Sequence, residues 1–417
     1  MLKQIEGSQA VAEAIALSRP EVVCAYPITP QTHIVEGVGA LVKSGKLQNC
    51  EFINVESEFA ALSVAIGASA AGARAYTATA SQGLLFMAEA VYNAAGLGLP
   101  IVMTVGNRAI GAPINIWNDH TDSMAMRDAG WIQLHAETNQ EAADLHIQAF
   151  KLAETLSCPV MVCMDGFILT HAYEQVDVPT QEEVDAFLPP FEPVQVVDPA
   201  DPYSIGAMVG PDAFTEVRYL AHHKQLEALA LIPEIAADFE RHFGRASGSL
   251  LHPYRLEGAE TVVVALGSIN GTIKDAVDDM RDAGHAIGSI AISCFRPFPL
   301  IELRDMLAGA TNVVCIEKSL APGLGGVLAS NVRMALRTSP RPVHTVIAGL
   351  GGRPISKASL SDIFVRAGEG GLDDVTFLDL NWRAVRDQLA RAKAQRHSGP
   401  IAENILKALN PGLEQAD

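Results

Sequence analysis

Strand-like and helix-like segments alternate along the first half of this chain, and no other feature restricts its fold as far. Val22 to Ala25, Cys50 to Val55, Ala75 to Ala80, Pro100 to Val105 and Val160 to Met164 are short apolar or β-branched runs that read as strands. Thr32 to Ser44, Glu58 to Ala70, Met87 to Ala95 and the amphipathic Gln140 to Leu156 read as the helices between them. At this spacing, parallel strands joined by crossover helices bury every apolar face, so an α/β fold with a mostly parallel, doubly covered sheet is expected. A second series repeats the pattern. Its strands are Thr261 to Leu266, Ile287 to Ser293, Asn312 to Glu317 and Val343 to Ala348, and its helices Thr272 to Ala283, Leu300 to Leu307 and Gly325 to Leu336. From Val178 to Pro202 prolines and acids predominate, which suits a connecting arm. Pro233 is expected to divide the helical stretches Ala221 to Leu229 and Glu234 to Phe243, and Leu378 to Ala394 reads as a terminal helix.

At 417 residues the chain exceeds one compact core and fits two domains. With 49% hydrophobic and 19% charged residues it has an ordinary globular composition, and its net charge of −18 opposes nucleic-acid or anionic-membrane partners. No apolar run approaches the roughly 20 residues of a membrane span, and residues 1–7 carry no signal-peptide core, so a cytoplasmic location is expected. The six cysteines (Cys24, Cys50, Cys158, Cys163, Cys294, Cys315) are scattered, mostly inside apolar runs, and no pair has CxxC spacing. No iron–sulfur cluster or structural zinc is therefore assigned to this chain, and no metal ligand set.

The polar residues concentrate where strands end. The first strand breaks into Tyr26-Pro27-Ile28-Thr29-Pro30, whose prolines fix φ and hold the preceding Tyr26 and Thr29 out of the α region. In open α/β sheets ligands bind at the carboxyl ends of strands, so Thr29 stands where a small polar ligand would sit; equally, it could cap the helix starting near Gln31. Glu56-Ser57-Glu58 occupies the next strand end. One reading makes Ser57 or Glu56 a cap and Glu58 a first-turn acid; the other has Glu58 serving a ligand, since a buried carboxylate needs a basic partner. Ser81, Gln82 and Gly83 follow the third strand without a GxGxxG or P-loop pattern. Asn107 and Arg108 follow the fourth, and Arg108 could grip a carboxylate or pair with Asp119 or Asp122. Asn118, Asp119, His120 and Asp122 lie too close together in one loop to favour a metal site.

Taken in order, Tyr26-Pro27-Ile28-Thr29-Pro30, Ser57-Glu58, Ser81-Gln82-Gly83, Asn107-Arg108-Ala109, Ala112 to Asp119, Gly210-Pro211, Gly267-Ser268 and Phe295-Arg296-Pro297-Phe298-Pro299 resemble the α subunit of the 2-oxoacid:ferredoxin oxidoreductases. The resemblance covers essentially the whole chain and is nearest the pyruvate type. It implies two parallel-sheet α/β domains: a thiamine-diphosphate pyrimidine-binding domain (1–175), an arm with helices (176–255), a transketolase C-terminal-like domain (256–375), and a helix and tail (376–417). It implies CoA-dependent oxidative decarboxylation of a 2-oxoacid. By the same resemblance Glu58 matches the glutamate that hydrogen-bonds N1′ of the aminopyrimidine. Thr29 and Arg108 match positions that bind the substrate, framed by Tyr26, Pro27, Ile28, Pro30, Ser81, Gln82 and Asn107.

A GDG motif followed by an asparagine, which holds magnesium and the diphosphate in thiamine enzymes, is absent from the sequence. The chain is therefore expected to supply half of an active site. A β subunit would complete the thiamine site with Mg²⁺, γ and δ (ferredoxin-like) subunits would join it, and the iron–sulfur clusters would lie in these partners. CoA is the co-substrate and ferredoxin the default acceptor, with NAD the alternative where a flavin subunit is attached. Pyruvate is the default acid, with phenylglyoxylate or 2-oxoisovalerate as alternatives. A non-catalytic scaffold is the reading from another class, and the retention of Glu58, Thr29 and Arg108 argues against it.

Overall fold

The computed structural model describes residues 1–394 and 401–409. Two β-sheets organise the chain, each covered by helices. The first has seven strands in the order Cys294–Arg296, Ile132–His135, Val160–Asp165, Val102–Asn107, Ala75–Thr79, Val22–Ala25, Glu51–Asn54. All its pairings are parallel except that of Cys294–Arg296 with Ile132–His135. Its central strands are buried along their whole length, which suits their mainly apolar character, with polar residues such as Thr79, Asn107 and Asp165 at their carboxyl ends. The strand after Val22–Ala25 lies on one side of it and Ala75–Thr79 on the other, so the strand order reverses there. Such a switch point opens a crevice at the carboxyl ends of the strands.

The second sheet runs Val375–Phe377, Val343–Ile347, Asn312–Glu317, Thr261–Ala265, Ile287–Ile292, Leu251–Tyr254. It is parallel except at its last strand. That edge strand lies within the stretch read as arm, so the sheet is mixed rather than wholly parallel. The two sheets are also joined, because Cys294–Arg296 of the second series pairs into the first sheet. Leu2–Glu6 forms a separate antiparallel ribbon with Tyr173–Asp177.

The expected break at Pro233 does not occur. Pro211–Phe243 is one helix with Pro233 inside it. Its C-terminal half buries Ala228, Ile232, Ile235 and Phe239 in the main core, and this apolar contact outweighs the roughly 3 kcal/mol that an interior proline costs. The arm is likewise not wholly irregular, since Gln181–Phe187 is a helix closed by a Thr180–Glu183 capping box. The terminal helix begins at Trp382, after the strand Val375–Phe377.

Candidate functional site

Four strand ends of the first sheet converge at the switch point. Ser57 accepts the Ala60 N–H at 3.2 Å and caps the helix Glu58–Ala70. With the cap supplied by Ser57, Glu58 is free to turn inward. It is only 8% exposed, and among the described residues its carboxylate has no hydrogen-bond or ion-pair partner. Beside it lies Thr79 Oγ1, which is buried and also unpartnered. A Cβ added at Gly83 would fall 2.6 Å from both Glu58 Oε1 and Thr79 Oγ1, so the absent side chain keeps this polar recess open. An isolated carboxylate in such a place is costly unless a basic nitrogen meets it.

The Tyr26–Pro30 loop borders the same region. Gln31 caps neither by side chain nor by contact with Thr29; its buried amide Nε2 donates to Tyr26 O at 2.9 Å and points toward Ala78 O at 3.4 Å, tying the loop to the neighbouring strand. Pro30 packs on bare backbone: a Cβ at Gly166 would lie 2.6 Å from its Cγ. Thr29 itself is exposed and does not cap the helix, which begins at Thr32.

Arg108 is 7% exposed, and its Nη1 donates to Thr29 O at 2.9 Å while Nε reaches Asn115 O at 3.4 Å. Neither Asp119 nor Asp122 pairs with its guanidinium. Asp119 instead accepts from Thr121 N, and the buried Asp122 accepts from Arg108 N (3.0 Å), Ser81 N (2.9 Å), Ser123 N (2.8 Å) and Asn107 Nδ2 (2.8 Å). Burial raises the Asp122 pKa to about 6 against the opposing effect of these donors. Burial also lowers the Arg108 pKa, with Asp122 opposing. The result is a buried guanidinium held by neutral carbonyls, with donors left for an anion.

The residue-13–236 segment matches the family model described as pyruvate flavodoxin/ferredoxin oxidoreductase, thiamine diphosphate-binding, and residues 259–360 match pyruvate:ferredoxin oxidoreductase core domain II. Curated relatives include the pyruvate synthase subunit PorA of Methanosarcina barkeri, 46% identical over 90% of this chain and 96% of the relative. The chain belongs to the 2-oxoacid:ferredoxin oxidoreductases, as an α subunit. PorA of Thermotoga maritima is 44% identical over 90% of this chain and 97% of the relative. The ketoisovalerate oxidoreductase subunit VorA of Pyrococcus abyssi is 39% identical over 87% and 92%. Among solved structures, a 2-oxoglutarate:ferredoxin oxidoreductase from Magnetococcus marinus superposes with a TM-score of 0.63 at 18% identity. That match covers 88% of this chain and 65% of the solved one, and it carries the fold alone.

For a thiamine cofactor the recess of this α subunit is chemically suited: an unpaired buried carboxylate, an unpaired hydroxyl, and space that a side chain at residue 83 would fill. The structure brings Glu58, Thr29, Arg108, Ser81, Gln82 and Asn107 to neighbouring strand ends. Ser81 Oγ lies within hydrogen-bond distance of both Ala109 O and Gln82 Oε1, with one proton to give, and Gln82 Nε2 reaches Gly111 O at 3.5 Å. Ser81, Gln82 and Asn107 thus hold the arginine loop in place. Along the rim of the Tyr26–Pro30 loop Tyr26 and Pro27 are exposed and Ile28 is half-buried, whereas Pro30 is buried.

Sequence reasoning missed Gln31 as the brace of that rim, and it missed Asp122 as the hub of the loop. It also missed a buried cluster between the two sheets. Asp165 accepts from His120 Nε2 at 2.5 Å, Lys318 Nζ at 2.7 Å, and both N (3.1 Å) and Oγ of Ser268. These charges hold Asp165 well below the usual carboxylate range despite burial. His120, read as part of one polar loop, is therefore committed to Asp165, and the Asn118–Asp122 side chains do not share a site. Asn115 Nδ2 donates to Gly351 O and Gly352 N to Asn118 O, so the second sheet's turn supports the loop flanking Arg108.

Proposed function

We propose that this α subunit supplies the pyrimidine-binding half of the thiamine site of a multi-subunit enzyme that oxidatively decarboxylates pyruvate to acetyl-CoA and CO₂. The observation that carries the reading is the unpartnered, buried Glu58 carboxylate beside the open recess at Gly83. Thiamine diphosphate, when bound, supplies the nucleophilic carbon and electron sink for loss of CO₂. Glu58 holds a proton at the aminopyrimidine N1′, Thr79 borders the same recess, and Arg108 with Thr29 receives the 2-oxoacid carboxylate. The arginine loses its anionic partner when CO₂ departs.

The pyrimidine-binding unit is assigned to residues 1–175, the arm to 176–255, the transketolase C-terminal-like unit to 256–375 and the tail to 376–417. A β subunit brings Mg²⁺ and the diphosphate half, and γ and δ subunits, with iron–sulfur clusters in the partners, carry two electrons to ferredoxin. CoA is the acyl acceptor in this reading; the Magnetococcus marinus 2-oxoglutarate:ferredoxin oxidoreductase, similar in fold, was solved with coenzyme A and succinyl-CoA bound. The VorA relative supports a second substrate class, a branched-chain 2-oxoacid. CoA-dependent viologen reduction by the co-purified complex, offered pyruvate, 2-oxoisovalerate, phenylglyoxylate and 2-oxoglutarate, tests the reading. Pyruvate is expected to be the best substrate. Inactivity with all four would contradict the function, and preference for 2-oxoisovalerate would replace the substrate.

A further inference from the structure

Away from the thiamine recess, three metal-competent side chains from distant parts of the chain converge. Glu6 ends the strand Leu2–Glu6, His33 lies in the first turn of the helix Thr32–Lys43, and His171 stands just before the strand Tyr173–Asp177. One ligand atom from each lies within 4.8 Å of the other two, with Glu6 Oε1 2.6 Å from His33 Nδ1. Their sequence spacing is unlike any zinc motif, so the grouping is visible only in the fold.

We propose that Glu6, His33 and His171 bind one divalent ion of the zinc class and so tie the N-terminal strand, the helix after the Tyr26–Pro30 loop and the His171 segment together. The donor set is two imidazoles and a carboxylate, which suits Zn²⁺ with a water as fourth ligand. Tetrahedral coordination at Zn–N distances of about 2.0–2.1 Å needs ligand atoms about 3.3 Å apart, so the Glu6–His33 pair at 2.6 Å opens slightly on binding and any pair near the 4.8 Å limit closes.

The surroundings favour this assignment over a simple Glu–His pair. His171 Nδ1 lies 2.7 Å from Thr170 Oγ1, which also accepts the Phe167 N–H at 2.7 Å. The hydroxyl retains a lone pair for an Nδ1 proton, which would leave Nε2 as the ligand nitrogen, the outer-shell arrangement typical of metal-bound histidine. The His33 and His171 ring centroids lie 4.6 Å apart, and the Phe167 ring lies 4.7 Å from that of His171. The backbone is pinned on both sides: Ser8 N donates to Thr170 O and Gly7 N to Ala172 O, each at 3.0 Å. His33 remains about half exposed, which leaves a route for the ion and a place for its water.

The site is independent of the thiamine reading. Its test uses the co-purified complex, stripped with chelator, given zinc chloride, desalted, and assayed for zinc by mass spectrometry. The wild type is expected to retain one more zinc per α subunit than Glu6→Gln or His171→Ala, and Thr170→Val should loosen that zinc about 10-fold or more. Zinc should raise the thermal midpoint of the wild type and leave Glu6→Gln unmoved. Glu6→Gln keeps a hydrogen-bonding partner for His33, so its folding is not in question. Equal zinc retention by wild type and both variants would overturn the proposal, because the three side chains would then be a hydrogen-bonded cluster and nothing more.

Discussion

Replacing Gly83 with alanine should cripple turnover without removing any group that performs chemistry. The added Cβ would lie 2.6 Å from Glu58 Oε1 and 2.9 Å from Glu58 Cγ, whereas ordinary contact begins near 3.4 Å. Thr79 Oγ1 also blocks it at 2.6 Å. Glu58 has the longer, freer side chain, so its carboxylate must retreat by about 0.8 Å. A misplacement of about 1 Å costs on the order of 10²-fold in rate, or ~2.7 kcal/mol of barrier. Overpacking costs only about 1–3 kcal/mol of stability, which a subunit of this size tolerates. The expected result is a roughly 10²-fold fall in kcat for CoA-dependent viologen reduction, with the complex intact by gel filtration. Gly271→Ala is the matched control, since no atom lies within 4 Å of the Cβ it would add. A Gly83→Ala enzyme with wild-type kcat would refute the placement of Glu58 at the cofactor.

Three further outcomes follow from the same geometry. Arg108→Ala should raise KM for the 2-oxoacid about 10²-fold in steady-state assays, and Arg108→Lys should recover only part of it, because lysine lacks the planar fork. Asp122 titrates near pH 6, above its ordinary value of 3.8. The folded chain therefore holds this proton more tightly than the unfolded chain does, and the stability it contributes at low pH is lost as pH rises from about 4 through 6. Below pH 6 the protonated carboxyl accepts less well from Ser81 N and Arg108 N, so KM should rise on the acid side; a pH profile unchanged in Asp122→Asn would contradict that assignment. Lys318→Met should destabilise the subunit by about 3–5 kcal/mol in denaturant unfolding, because it strips a charge from the fully buried Asp165, and no loss would show the cluster to be dispensable.

Much of the scaffold was legible because periodicity and burial agree. Val22–Ala25 and Asn312–Glu317 are apolar runs that became buried strands at the expected residues, and the Glu58–Ala70 helix begins where Ser57 supplies a cap. Pro233 misled because a local rule was overridden by tertiary burial of Ile232, Ile235 and Phe239. The short strands Leu251–Tyr254 and Cys294–Arg296 were missed because edge pairing depends on a distant partner and not on internal pattern. The same limit applies to the site. Glu58, Thr29 and Arg108 stand out as polar residues at strand ends, but Asp122 acts through backbone N–H groups, and Lys318 meets Asp165 across 153 residues. No local spacing encodes such contacts.

Glu58 is the carboxylate proposed to meet the cofactor. The most direct measurement compares wild-type and Glu58→Ala complexes for thiamine diphosphate affinity by calorimetry and for pyruvate-dependent viologen reduction in saturating cofactor. A complex that assembles normally, binds the cofactor more weakly and falls by at least ~10³-fold in turnover is the predicted result. Turnover within a few-fold of wild type at saturating cofactor would contradict that role for Glu58.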